Sequence, residues 1–216
     1  MAIRLDWSAY PDRERRKAFT EGLIPECPLP SAGVSVPECR KVARSLDGCD
    51  IEIVYIEDVL VKGIWIFSAK EPFRVKKERI EAFLPLLVSW MVTDVVTSSL
   101  HLDKCDEEEA YTYFLSLMDR SDEMVRRLGI VALMRRAFMT RERMEEVLDR
   151  LTAVRTEHHL LAMGAAWYLA TAYIKDPELA LPYFKRVDSL IAKMARQKCR
   201  DSRRLDKEAK VRLDKS

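Results

Sequence analysis

Histidine is scarce in this chain: His101, His158 and His159 are the three it has, in 216 residues. They are too scattered for a convincing metal site, and no HExxH is present, so zinc-hydrolase chemistry lacks its ligands. Neither a GxGxxG nor a P-loop occurs, and nucleotide cofactors are therefore not indicated. The five cysteines, Cys27, Cys39, Cys49, Cys105 and Cys199, are odd in number and form no CxxC pair. That argues against a disulfide framework or a zinc ribbon and for reduced thiols. Cys39, just before Arg40, is a reactive thiol only in the weak sense that a cation and a helix N-terminus lower thiol pKa. Long apolar runs are missing as well; stretches such as Ile130 to Met134 fall far short of the roughly 20 residues a spanning helix needs. The opening residues, Met1 to Trp7, lack the apolar core of a secretory signal. The expectation is a soluble cytoplasmic protein with no membrane contact, no metal and no other cofactor.

Charge of one sign is not in excess overall, since 37 lysines and arginines stand against 35 acids. The distribution carries more information than the total. From Lys193 to Ser216 ten basic residues meet four acids, a net +6, which leaves the first 192 residues at −4. Lys193, Arg196, Lys198, Arg200, Arg203 and Arg204 fall at spacings that can share a helix face. Such a face can hold a phosphate backbone with salt-sensitive affinity, or it can be an ordinary solvated terminal helix. No aromatic residues interleave these cations, which excludes a stacking platform for single strands.

Glycine and proline are sparse, and Pro25, Pro28, Pro30, Gly33 and Pro37 crowd into one early stretch. That stretch reads as a connector between a first helix at about Asp12 to Glu21 and a second beginning at Pro37, with Ser35 a candidate cap. Beyond it, apolar residues recur at three-and-four spacing over Val36 to Ser45, Glu52 to Phe67, Lys76 to Leu87, Leu87 to Leu100 and Asp106 to Met118. The pattern continues over Glu123 to Phe138, Arg141 to Thr152, His158 to Ile174, Pro177 to Val187 and Asp188 to Cys199. Ile51 to Ile56 also fits a strand by alternation and β-branching, although its continuation to Gly63 favours helix. Glu107 to Glu109 reads as the acidic first turn of a helix, which suits the macrodipole. Helices of this length with short joints, recurring at roughly 35 to 45 residues, are the pattern of a HEAT-type solenoid, with a compact bundle as the alternative.

The segment Val88-Ser-Trp90-Met-Val-Thr-Asp94 places an indole and a carboxylate one helical turn apart within an apolar run. An acid in such a setting needs a partner charge, a capping role or a chemical task. Around it stand, in order, Thr20 to Pro25, Gly33 to Ala43, Glu57 to Gly63, Trp90 with Asp94, Arg126-Arg127 to Val131, Met163 to Leu169 and Gln197 to Arg203. This ordered set resembles the bacterial DNA alkylation repair family, the AlkD-like DNA glycosylases built from HEAT-like repeats, over roughly Arg15 to Lys210. The resemblance implies an all-α, right-handed α-α superhelix with a concave DNA-binding groove, covering residues 1–216 as one domain. In it, 1–36 would be the N-terminal helix and Pro-rich connector, and 193–216 the basic C-terminal segment.

The resemblance further implies excision of N3- or N7-alkylated purines from double-stranded DNA, by a monomer that binds the nucleoid and does not swing the base into a deep pocket. Alkylation already makes the base a good leaving group, so a carboxylate near the deoxyribose is the useful catalyst, and Asp94 matches the family's catalytic aspartate. Trp90 and Trp167 match the two groove tryptophans, which can lie against the sugar or attract a cationic lesion. For Trp167 a core role is the alternative, because Met163, Ala166, Ala170 and Tyr173 surround it in sequence. Arg127 matches the phosphate-binding arginine, and Arg126 would take that role after a one-residue slip. Lys198 and Arg203 are the tail cations expected on the DNA face. Met124 departs from the tryptophan many members carry there, and Val95-Val96 replaces small polar residues after the aspartate. A DNA-binding solenoid without catalysis and a HEAT-like scaffold for another protein are the competing readings.

Overall fold

The computed structural model describes residues 2–214, so residues 215 and 216 of the basic segment lie outside the description. The chain divides into two compact units, Met1–Asp106 and Glu107–Ser216. The described residues form twelve α-helices and several 3-10 turns with no named strand, which makes the fold all-α.

The first unit holds α1 (Arg13–Leu23), α2 (Val36–Ser45), α3 (Ile56–Ser68), α4 (Phe73–Phe83) and α5 (Trp90–Ser98). Its centre is α3, IEDVLVKGIWIFS, whose apolar residues occur on all sides of the helix, the mark of a helix enclosed by others. It packs against α2, α4 and α5. Gly63 permits the close approach, because a Cβ there would stand 2.4 Å from Val96 Cγ1 and 2.7 Å from Phe83 Cζ. Val59, Phe67, Phe73, Phe83, Val92 and Val96 fill the space around it and are fully buried. Truncating one such phenylalanine to alanine costs about 3–5 kcal/mol.

Both readings of Ile51 to Ile56 are partly realised. Ile51 forms a lone parallel bridge to Ile3, with Glu52 N–H donating to Ile3 O at 2.9 Å, and the helix begins only at Ile56. The delay has a physical cause. Asp58 Oδ2 accepts the backbone N–H groups of Val54 and Tyr55 at 2.9 and 2.7 Å, holding those residues outside the helix they precede.

The second unit holds α6 (Glu107–Leu117), α7 (Glu123–Ala132), α8 (Arg141–Leu151), α9 (His159–Lys175), α10 (Pro177–Ala180), α11 (Ser189–Asp201) and α12 (Lys207–Asp214). Here α9 is central and packs against α7, α8, α10 and α11. Its buried Ala162, Gly164, Ala165, Ala166, Ala170 and Ala172 keep the helix slim enough for neighbours on several sides. The acidic triplet Glu107 to Glu109 does form the first turn of α6, where negative charge offsets the helix dipole. The α12 segment was not anticipated as a separate helix; Tyr173 Oη donates to Ala209 O at 2.7 Å and ties it to α9.

Candidate functional site

The N-terminus of α5 is fixed by Ser89, whose buried hydroxyl accepts the Met91 N–H at 3.1 Å. That cap starts the helix at Trp90, three residues later than the sequence pattern suggested, and sets Asp94 one turn further along the same side. Trp90 and Asp94 are both half-buried. The Trp90 Nε1–H donates to Leu23 O at 3.3 Å, which ties the indole to the end of α1. Between them sits the buried Thr93, whose Oγ1 donates to Trp90 O at 2.8 Å and lies 3.2 Å from Asp94 Oδ1. Beside this turn an apolar hollow of about 430 Å³ is bordered by Phe19, Leu23, Val34, Leu60 and Met91. Phe19 is 67 % exposed and Leu23 44 %, so α1 presents apolar side chains to solvent at its rim.

The fully enclosed acids of this unit are Glu57 and Asp58. Glu57 Oε1 accepts the Ser31 hydroxyl at 2.6 Å and the Gly33 and Val34 N–H groups at 3.1 and 3.2 Å, and its Oε2 accepts the Ala32 N–H at 2.7 Å. One carboxylate thus organises the end of the Pro-rich connector. Gly33 is needed there: its φ is +77° and a Cβ would stand 2.1 Å from Arg13 O. Asp58 Oδ1 accepts the Trp7 indole N–H at 2.8 Å. Neither role is legible in the sequence, since the partners of both acids are brought together only by the fold.

In the second unit Arg127 is 2 % exposed, its Nη1 donating to Leu160 O at 2.5 Å, and a Cβ on Gly164 would come within 3.2 Å of its Cγ. The side chain therefore seats the first turns of α9, and in this structure its guanidinium is enclosed where a phosphate-holding role would need it open. Arg126 is half-buried, with Nε donating to Met118 O at 3.1 Å. Trp167 projects from α9 and is 40 % exposed, so it is not a core residue; the core position is taken by Tyr168. Lys198 of α11 places its Nζ 6.0 Å from the centroid of the Trp167 ring. Arg203 is exposed in the turn between α11 and α12.

The weak case for Cys39 as a reactive thiol is corrected. It is fully buried, and burial first, then the charge of Glu57, pushes its thiol pKa up rather than down. Ser35 does stand at the cap of α2, but its hydroxyl donates to Glu38 instead of accepting a backbone N–H. Among the described residues no group of three or more His, Cys, Asp or Glu side chains is placed to hold a metal ion, and no helix is long and apolar enough to cross a membrane. No family model, no curated protein and no solved structure matches this chain.

Proposed function

We propose that the chain is a DNA glycosylase that excises N3- or N7-alkylated purines from duplex DNA, within a HEAT-like right-handed superhelix that offers a concave groove and without deep base flipping. The observation that carries the reading is the half-exposed Asp94 carboxylate one helical turn from the Trp90 indole. The enclosed carboxylates Glu57 and Asp58 serve the fold, whereas Asp94 remains within reach of solvent. The ordered resemblance across the chain supplies the chemistry.

In this reading the alkylated base leaves with the electrons of the glycosidic bond, which neutralises its positive charge. Asp94 stabilises the oxocarbenium charge growing on the sugar and orients a water, whose oxygen bonds to C1′ as its proton passes to the Asp94 carboxylate and from there to solvent. Trp90 lies against the deoxyribose. Phosphates are held by the cations that solvent reaches, Arg126, Lys198 and Arg203, while the enclosed Arg127 braces the start of α9 through Leu160. The protein works in the cytoplasm as a monomer on the nucleoid.

The second reading, a DNA-binding protein without catalysis, draws on the Trp167–Lys198 pair, an ammonium beside an exposed indole that can contact a backbone without any catalytic step. Incubation with methylated duplex DNA, followed by quantification of free 7-methylguanine and 3-methyladenine, separates the two. Release supports the glycosylase. Salt-sensitive binding without release leaves the second reading.

A further inference from the structure

The cations of α11 do not share one face. At about 100° per residue, Ile191, Ala195 and Cys199 form the buried stripe, Lys198 lies on one flank of it, and Arg196 and Arg200 lie about 160° away from Lys198 on the other. On that second flank an open cleft of about 440 Å³ is lined by Lys185, Lys193, Arg196 and Arg200, with Phe184 and Val187 in its floor. Its described lining includes no carboxylate.

The cleft is partly preorganised. Arg196 Nη1 donates to Leu213 O at 2.5 Å, and its guanidinium stands 5.3 Å from the Phe184 ring centroid, so its rotamer is held. Lys210 Nζ donates to Arg200 O at 2.7 Å and adds a fifth cation near the same end. Lys185 and Lys193 are exposed, so their charge is available to a ligand. From Lys193 to Arg200 the positive charge runs along roughly 10 Å of helix axis, a length matched to successive phosphates of a polymer and too long for one phosphate group.

We infer that this cleft is a second phosphodiester-binding surface, which holds the backbone of duplex DNA on the flank of α11 opposite the Trp167–Lys198 pair. The inference rests on the reading of a DNA-acting protein and is independent of excision. Its contacts are to phosphate alone, so it serves undamaged duplex of any sequence.

The test is fluorescence anisotropy of a labelled undamaged duplex over a salt series, with full-length wild type, Lys185→Glu/Lys193→Glu, Lys185→Gln/Lys193→Gln and Lys198→Gln. The lysines are exposed, and equal melting temperatures confirm that the variants fold. Charge reversal is expected to weaken binding at least about tenfold at about 0.1 M salt, and the glutamine pair to lower the slope of log K against log salt by about 2. Lys198→Gln lowers the slope by about 1, independently of the cleft. Affinity and slope equal to wild type in both lysine pairs overturn the inference, as does a wild type that does not bind undamaged duplex. A protein that shows these slopes but releases no alkylated base keeps the cleft and loses the glycosylase. One that releases base while Lys185→Glu/Lys193→Glu binds normally does the reverse.

Discussion

Trp90 donates its indole N–H to the carbonyl of Leu23, so the ring beside Asp94 is positioned by the last turn of α1. Trp90→Phe keeps the aromatic surface and removes that bond. A long hydrogen bond at a half-exposed site is worth about 1 kcal/mol or less, so a fall of only a few degrees in Tm is expected. On the proposed glycosylase reading, excision should drop further than stability does, because a loosened ring would no longer hold the sugar near Asp94. Single-turnover rates alongside calorimetry check this; a large loss of Tm with unchanged rates would assign Trp90 to the fold alone.

Glu57→Ala leaves the Ala32 and Val34 N–H groups without their carboxylate acceptor in a buried place, while Gly33 N–H keeps the Ser31 hydroxyl at 3.0 Å. Each orphaned buried donor costs about 1–3 kcal/mol, so a loss of at least about 2 kcal/mol is expected in urea unfolding. A loss below 1 kcal/mol would mean that the connector does not depend on this acid.

Tyr168 is fully buried and its hydroxyl has no hydrogen-bond partner among the described residues, and burial pushes its phenol pKa up. Tyr168→Phe removes an unsatisfied polar atom and leaves the packing. Thermal melting should show equal or higher stability. A marked loss would contradict the placement of this hydroxyl.

Alkaline pH should weaken the fold. Burial drives the Cys39 thiol up and the Cys199 thiol up to about 11, from ordinary values of 9.0. The unfolded chain therefore loses these protons first. Stability from the buried protonated thiols is fully present below about pH 9 and falls between about 9 and 11, by roughly 1.4 kcal/mol per pH unit per thiol. Chemical denaturation at a series of pH values reads this directly, and Cys199→Ala should flatten the slope. Stability that stayed level or rose through this range would contradict the burial of these thiols.

Local rules made much of the helix order legible. α2 begins next to Pro37, and the α5 face carrying Trp90 and Asp94 follows from four-residue spacing. Boundaries set by distant partners were not legible. The start of α3 depends on Asp58, whose other oxygen is held by Trp7, 51 residues earlier. Periodicity places Arg126 and Arg127 on adjacent directions of α7 but does not say which faces the core; that was decided by Leu160 and Gly164 of α9. Trp167 was ambiguous for a related reason: among small residues its exposure depends on which sides α7 and α11 cover. The two cation flanks of α11 became visible only when the buried stripe between them was known.

The catalytic assignment is tested most directly by single-turnover release of 7-methylguanine from methylated duplex, with wild type and Asp94→Asn both at saturating protein. The substitution keeps the shape of the side chain and removes its charge. Duplex affinity should be unchanged, wild type should release base, and Asp94→Asn should be slower by about a hundredfold or more, the scale of losing one electrostatic stabiliser. Equal rates for the two proteins would contradict the assignment of Asp94, and no release by wild type would contradict the glycosylase reading itself.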